Sequence, residues 1–247
     1  MQINWPLITV LFCLSLPGVL IAIPRLINLL LPNNSEELRR RYSRFAIAQT
    51  LVMTLLMSFA GAVLSLRTGL TAPVLDALLQ GKAVLDLLQK MALPTLLYTL
   101  GGLLIFLAFY YGLAEALLDE KTLRVMKTIR VKLRPDGCIL YSVVEEVIAR
   151  WGLMNVFAFF AILFSGQKNP LVLWNSIFLS GIFYGICQLP AYLAAGCHLG
   201  RRFIFALLWL NLWQALLFGW LFWHYGLVAA IVSHMLFHLG WALYDKT

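Results

Sequence analysis

The sequence has few charged residues and no segment with the composition of a soluble domain. Only 12% of its 247 residues are Asp, Glu, Lys or Arg, whereas 62% are hydrophobic; soluble domains average about 25% charged residues. This balance excludes an ordinary soluble enzyme. It also leaves no compact basic domain to bind nucleic acid, although the formal net charge is +8. The composition predicts a polytopic membrane protein whose basic residues mark one side of the membrane.

The chain also lacks close cysteine pairs, and its first residues do not have the pattern of a signal peptide. Its four cysteines, none in a zinc or redox motif, lie in or beside apolar runs, and we interpret them as small buried residues. They are Cys13, Cys138, Cys187 and Cys197. Residues 1–24 contain no Lys or Arg, and their apolar run continues to Leu31. Because a signal peptide begins with a positive region, we expect a retained first helix.

Long apolar runs define the expected topology. A spanning helix needs about 20 apolar residues. The runs that meet this length are Trp5 to Leu31, Phe45 to Leu66, Ala92 to Leu118, Ile139 to Phe164, Leu171 to Ala195, Phe203 to Trp223 and Gly226 to Tyr244. We therefore predict an all-α fold, a transmembrane bundle of about seven to eight spans. Pro17 and Pro24 predict a kink in the first span.

An interfacial segment is expected near residues 73–91, between the second and third spans. It contains two near-duplicate pieces, VLDALLQ from Val74 and VLDLLQ from Val84. Each piece is too short to cross a bilayer, so we predict an interfacial amphipathic hairpin, with a re-entrant pair as the alternative.

Basic residues predict the orientation, because alternate loops carry most of them. One side of the expected topology holds 14 of the 19 Lys and Arg residues. The positive-inside rule makes this side cytoplasmic, which places the N-terminus outside and the C-terminus inside. We expect an integral protein of a bacterial cytoplasmic (inner) membrane.

Three regions follow from this layout. Residues 1–118 hold the N-terminal helices, residues 119–137 form a basic cytoplasmic loop, and residues 138–247 form the core helices that carry the motifs. The loop alternates basic and apolar residues at helical spacing. We interpret it as resting on anionic headgroups, with docking of an acidic partner or substrate as the alternative.

Two adjacent carboxylates, Glu145 and Glu146, interrupt the fourth span. A carboxylate in hydrocarbon costs on the order of 3 kcal/mol, and intramembrane acids therefore mark candidate functional sites. Arg150 lies four residues after Glu146, on the same helix face, and predicts an internal ion pair. Successive residues point about 100° apart, so one Arg cannot easily serve both acids. Glu145 therefore has no predicted ion-pair partner and is the candidate functional carboxylate.

Polar residues at a comparable depth occur in two other spans. The fifth span contains Tyr184 and Gln188, and the last contains His234 and His238. A single residue of this kind usually makes an interhelical hydrogen bond worth under about 1 kcal/mol. Together with Glu145 they predict an active-site-like cavity that opens to the cytoplasmic half of the membrane.

The ordered motifs Glu145-Glu-x-x-x-Arg150, Tyr184-x-x-x-Gln188 and His234-x-x-x-His238 resemble the CPBP/Abi family of intramembrane proteases, which includes the CAAX prenyl endopeptidases. The resemblance covers about residues 138–241, and its first and third motifs are fairly specific. It implies a bundle of transmembrane helices that cleaves peptide bonds with a glutamate-activated water.

The resemblance also implies a role for each residue of the first and third motifs. Glu145 would be the general base, with Glu146 and Arg150 completing the first motif. His234 would donate to the developing oxyanion. His238 stands where the family usually has Asn or another small polar residue.

The second motif departs from the family pattern, because Gln188 occupies the position of its His. A glutamine amide can hydrogen-bond a water but cannot accept its proton near neutral pH. His238 is the expected substitute imidazole. His198, which lies near the membrane surface beside Arg201, is a poorer one.

We expect no cofactor, with Zn²⁺ as the alternative, because two imidazoles at i, i+4 and a carboxylate are zinc ligands. The expected partners are the lipid bilayer and a membrane-embedded or membrane-associated peptide or protein substrate, and nucleic acid is not among them. The leading function is an intramembrane endopeptidase acting on a membrane-associated or lipidated peptide or protein.

Two other functions compete with the endopeptidase. A catalytically impaired member could bind a peptide as an immunity protein or assembly factor, and Gln188 supports this reading. A transporter could use the acids as a proton relay, but the sequence lacks a pair of interrupted helices in matching halves.

Overall fold

The structure is a computed structural model that describes residues 3–244. Within this range the chain forms eight helices and no β-strand. They are α1 (Trp5–Leu30), α2 (Glu36–Thr68), α3 (Pro73–Leu79), α4 (Leu85–Leu117), α5 (Glu120–Ser165), α6 (Pro170–Ala194), α7 (Arg201–Tyr225) and α8 (Leu227–Tyr244). All except α3 are long and apolar enough to cross a membrane. The predicted all-α transmembrane bundle is confirmed.

Helix α2 begins nine residues before the predicted apolar run at Phe45. The Ser35 hydroxyl caps it by accepting a hydrogen bond from the Leu38 amide at 3.3 Å, and Glu36 and Glu37 occupy the first turn. A polar cap and acidic residues both stabilise a helix N-terminus. The helix therefore extends through a charged stretch that hydropathy alone does not detect.

The predicted pair of interfacial pieces takes a different form in the structure. Residues 73–79 form the short helix α3, whose Asp76 accepts a hydrogen bond from Asn4 at 3.1 Å. The second piece instead forms the first turns of α4 and continues into the span. The repeat is thus divided between two helices, because nothing stops the helix between Leu85 and the apolar residues that follow.

Helix α5 joins an amphipathic arm, residues 120–133, to a membrane-length segment. Arg134 interrupts the helix with a φ of 64° and is followed by Pro135. A proline restricts the residue before it, so the break falls at this position. Asp119 caps the arm by accepting from the Thr122 amide at 2.9 Å, and this hydrogen bond lowers the pKa of the Asp119 carboxyl. Most of the expected basic loop 119–137 is therefore helical.

Contacts between helix ends assign the loops to two ends of the bundle. Arg25 of α1 donates to Leu133 O at 2.7 Å and pairs with Asp136 at 2.7 Å, and Lys121 lies 3.3 Å from His198. These contacts gather the basic segments at one end, which we call the basic end. At the far end, the Leu227 amide donates to Thr71 O. Which side of a membrane each end faces stays a prediction.

Pro17 and Pro24 both lie inside α1, which continues through them from Trp5 to Leu30. The kink predicted at these prolines stays a prediction.

The cysteines are less buried than predicted. Cys197 is buried as predicted, but Cys13 is exposed and Cys187 is exposed where it lines a cavity, so the prediction that all four cysteines are buried is wrong. A small apolar side chain is equally compatible with a lipid-facing position.

Candidate active site

A cavity of about 660 Å³ lies between the core helices. The arm of α5 contributes Met126, Ile129 and Leu133 to its wall, so the cavity reaches the basic end. Its polar lining comes from six helices: Gln49, Thr50, Tyr110, Arg130, Tyr141, Glu145, Tyr184, Gln188, Tyr192, Asn211, Gln214 and His238. Glu145, Gln188 and His238 thus share one cavity, as the sequence predicts.

Glu145 stands on the cavity wall with each carboxylate oxygen directed at a different partner. Oε1 accepts a hydrogen bond from the Tyr184 hydroxyl at 2.9 Å. Oε2 lies 3.4 Å from His234 Nε2. The tyrosine therefore fixes one oxygen, and the other remains directed at the buried imidazole and the cavity.

Glu146 is fully buried and connects two other motif residues. Its Oε2 lies 3.4 Å from Arg150 Nε, so the predicted ion pair is confirmed. Its Oε1 lies 2.7 Å from His234 Nδ1, a contact the sequence does not predict. Arg150 also donates from Nη2 to Gln214 O at 3.1 Å. Glu146 therefore positions His234 as well as balancing Arg150.

We call Glu145, Glu146, Arg150 and His234 the open cluster, because some of its buried atoms lack hydrogen-bond partners. These atoms are Glu146 Oε2, Arg150 Nε and His234 Nε2, judged within residues 3–244. Glu146 Oε2 and Arg150 Nε are an ion pair at 3.4 Å that makes no hydrogen bond. A buried polar atom without a hydrogen bond costs free energy, and such atoms in a native structure call for an explanation. The π-helical segment Val147–Met154 follows the two glutamates directly, and π segments are frequent at functional sites.

The histidines of α8 are stacked, as their spacing predicts. The ring centroids of His234 and His238 are 4.8 Å apart, with 21° between the ring planes. His234 also stacks on Phe218 at 4.3 Å. Only His238 lines the cavity. His198 lies outside the cavity, 3.3 Å from Lys121.

Sequence reasoning missed Asn211 and Gln214, which line the cavity from α7. They are the only amide side chains in the apolar run Phe203 to Trp223, three residues apart and hence on one helix face. Glu145 was identified as a polar side chain within an apolar run, and the same criterion would also have identified Asn211 and Gln214.

A second buried polar group, which we call the closed cluster, consists of Thr68, Trp151 and Asn155. The Asn155 amide nitrogen donates to Leu70 O at 3.3 Å and to Trp151 O at 2.9 Å, and its Oδ1 bonds to the Thr68 hydroxyl. Trp151 Nε1 donates to Ser58 O at 3.0 Å. These contacts join α2 to α5, and none of the three side chains lines the cavity.

Fold and site together define an integral membrane protein with carboxylates and imidazoles around a cavity. Comparisons with protein-family profiles, curated proteins and solved structures find no match to this chain. The family resemblance therefore depends on the motifs alone.

Proposed function

We propose that the chain is an intramembrane endopeptidase of the CPBP/Abi family, which cleaves a membrane-associated or lipidated peptide or protein with a water activated by Glu145. The observation that carries this proposal is the geometry of Glu145. Its carboxylate borders the cavity, is oriented by Tyr184, and faces the unpaired His234 Nε2 at 3.4 Å. A carboxylate, an imidazole and a substrate-sized space are the parts that general-base hydrolysis requires.

In the proposed reaction Glu145 accepts a proton from water, and the hydroxide adds to the peptide carbonyl carbon. The proton then passes to the departing amine as the carbon–nitrogen bond breaks. Oε2 is the oxygen suited to this task, since Oε1 already accepts from Tyr184. His234 donates to the oxyanion from a protonated Nε2. The ring is then either an imidazolium that also donates its Nδ1 proton to Glu146, or a neutral ring whose Nδ1 accepts a proton held by Glu146.

The amide of Gln188 is proposed to orient the attacking water. It lies on the same cavity wall as Glu145 and can both donate to and accept from a water. Asn211 and Gln214 supply further polar groups for the peptide backbone of a substrate. The remaining lining is mainly apolar, as expected for a cavity that holds a lipidated or membrane-embedded segment.

Access from the lipid phase supports a membrane-associated substrate. Helices α2 and α6 both border the cavity, but among the described residues they do not pack closely against each other. Met53 of α2 and Phe183 of α6 line the cavity while remaining 41% and 48% exposed. A substrate in the bilayer could therefore reach Glu145 laterally, between α2 and α6. The proposed orientation puts the basic end in the cytoplasm of a bacterial cell.

The test is a comparison of peptide termini in membranes of cells that produce wild type, Glu145→Gln or Glu115→Gln at equal levels. Glutamine keeps the size of Glu145 but not its basicity, so fragments generated by wild type should fall about 100-fold or more. Glu115 is exposed and outside the cavity, and its variant should match wild type. Equal fragments from wild type and Glu145→Gln would refute the enzyme assignment.

A peptide-binding immunity or assembly factor is the second candidate, favoured by Gln188 in place of an imidazole. In that case Glu145→Gln should leave the cellular phenotype intact. Filling the cavity with Met53→Trp should disturb it.

A further inference from the structure

The arm of α5 has two faces of different chemistry at the basic end of the bundle. Met126, Ile129 and Leu133 line the cavity of about 660 Å³ from one face. The opposite face is exposed and carries the basic side chains Lys121, Arg124, Lys127 and Lys132. The arm therefore covers the cavity with apolar side chains and presents positive charge on its outer face.

Both ends of the arm are tethered to membrane-length helices. Helix α4 ends at Leu117, and the arm begins at Glu120. From Pro135 onward the chain continues into the membrane-length part of α5. Residues 120–133 form a helix only about 21 Å long at 1.5 Å per residue. Because both of its ends are tethered so closely, the arm stays at the membrane surface, and its basic face lies at the level of the lipid headgroups.

Non-helical residues at both ends allow the arm to turn as a unit. Leu118 and Asp119 are extended, with ψ angles of 148° and 154°. At the other end Arg134 has a φ of 64° and a ψ of 157°, and it is the only non-glycine residue with a positive φ within residues 3–244. This backbone region is essentially restricted to glycine. The observed position of the arm therefore strains Arg134, and rotation about this residue relieves the strain.

Contacts near the break hold the arm over the cavity. Arg25 of α1 donates to Leu133 O at 2.7 Å and pairs with Asp136 at 2.7 Å. The Arg25 and Asp136 side chains remain 27% and 47% exposed, and an ion pair so exposed contributes little. Arg130 lies over the Trp241 ring, 4.0 Å from its centroid. A ligand that attracts the outer face therefore competes with a small number of partly exposed contacts.

Anionic lipid headgroups have the chemistry to compete with these contacts. A basic amphipathic helix binds an anionic bilayer by placing its cations among the headgroups and its apolar side chains at the acyl boundary. The arm carries both kinds of side chain. Met126, Ile129 and Leu133 can be shielded from water either by the cavity or by the bilayer. Covering the cavity and inserting into the membrane surface are thus alternative uses of one face.

We propose that anionic lipid headgroups bind the basic face of the arm, and that this binding turns the arm away from the cavity and opens the cavity at the basic end. In a bilayer without net charge the arm stays over the cavity. The strain at Arg134 favours opening. This inference goes beyond the proposed function and does not depend on it, because opening is measured without a substrate.

The test measures access to Cys138, which lines the cavity together with Arg130 of the arm. The purified full chain is placed in nanodiscs of phosphatidylcholine, with or without phosphatidylglycerol, and treated with an uncharged maleimide that carries a polyethylene glycol tail. Peptide mass spectrometry gives the alkylation rate of Cys138. Wild type should react about tenfold faster with phosphatidylglycerol present. High salt should reduce this difference, because it screens exposed charges.

Matched variants separate the charge of the arm from the charge of the basic end as a whole. Lys127→Gln/Lys132→Gln should lose most of the response to phosphatidylglycerol. Arg41→Gln/Arg44→Gln removes the same charge from exposed positions of α2 and should respond like wild type. Arg134→Gly should react more slowly than Arg134→Gln, because both variants lose the charge but only glycine relieves the strain that favours opening.

The outcomes are distinct from those of the cleavage assays. Equal alkylation in the two lipid mixtures overturns the proposal, and so does an equal loss of response in the two double variants. A faster reaction caused by soluble polyglutamate, with none caused by phosphatidylglycerol, would show that the basic face binds an acidic protein instead. Faster reaction of Arg134→Gly than of Arg134→Gln refutes the role of strain. Failure of Glu145 to support hydrolysis leaves this proposal intact.

Discussion

The open and closed clusters lie on consecutive turns of α5 and satisfy their buried polar groups differently. In the closed cluster, Asn155 and Trp151 direct every side-chain nitrogen to an oxygen of the bundle. In the open cluster, His234 Nε2, Glu146 Oε2 and Arg150 Nε have no hydrogen-bond partner within residues 3–244. Burial of polar groups costs free energy in both places. The closed cluster offsets this cost with a partner for every side-chain nitrogen. The open cluster also bonds between helices, as in Glu146 Oε1 to His234 Nδ1, but leaves three buried atoms without hydrogen bonds among the described residues.

This difference indicates that the two clusters of α5 have different roles. A fully paired cluster away from the cavity stabilises the contact between α2 and α5. A partly unpaired cluster beside a cavity is arranged for a group that the bundle itself does not supply, such as a water, a substrate or a metal ion. Variants in the first should therefore affect stability, and variants in the second should affect activity.

The largest effect on stability is expected for Gly61→Ala, at the closed cluster. An added Cβ would lie 2.4 Å from Trp151 Nε1 and 2.5 Å from Trp151 O, so α2 must move away from α5. Overpacking of this kind should lower the free energy of unfolding by about 3 kcal/mol. Thermal unfolding in detergent measures the change. Gly101→Ala is the matched control, because nothing lies within 4 Å of its added Cβ; equal melting temperatures would contradict the close contact.

Glu146→Gln should lower the cleavage rate by about 10- to 100-fold, because His234 loses the carboxylate that orients it. The reduction should appear in kcat rather than KM, since Glu146 does not line the cavity. Steady-state kinetics in vesicles measure kcat and KM separately. The control is Glu37→Gln, at an exposed position. A change confined to KM would argue that Glu146 acts on substrate binding instead.

Gln188→His should keep activity at the wild-type level or raise it up to about tenfold, because an imidazole at this position can accept a proton from water. The same kinetic assay measures it. Loss of activity in a folded variant would show that this chain uses the position differently. Leu189→His, one residue along the same helix, controls for the introduction of a histidine.

The smallest effect concerns Asp76 of the short helix α3. Burial raises the pKa of its carboxyl, while the hydrogen bond from Asn4 opposes the shift. Between the usual and the raised pKa the folded state binds more protons than the unfolded state, so stability should fall as pH rises through this window. Melting temperatures of wild type and Asp76→Asn across mildly acidic pH test this. An equally steep pH dependence in Asp76→Asn and in the exposed Asp86→Asn would contradict it.

Local sequence rules predicted the fold and two contacts within the candidate site. The apolar runs gave the seven spanning helices, and the i, i+4 rule gave the Glu146–Arg150 pair and the stacked histidines. The contact between Glu146 and His234 could not be predicted from the sequence, because it depends on which face of α8 meets α5. The helical spacing of residues 119–134 indicated the arm of α5 but not the break at Arg134. The partners of Asn155 at the end of α2 come from residues far away in the chain.

The most direct measurement compares the cleavage rates of Glu145→Gln and Asn155→Ala per folded molecule. Both proteins are reconstituted in vesicles with peptides from the membrane fraction of the expression host. We expect a loss of about 100-fold or more for Glu145→Gln and a wild-type rate for Asn155→Ala, which should only unfold more easily. Equal rates for the two variants would contradict the claim that Glu145 activates water.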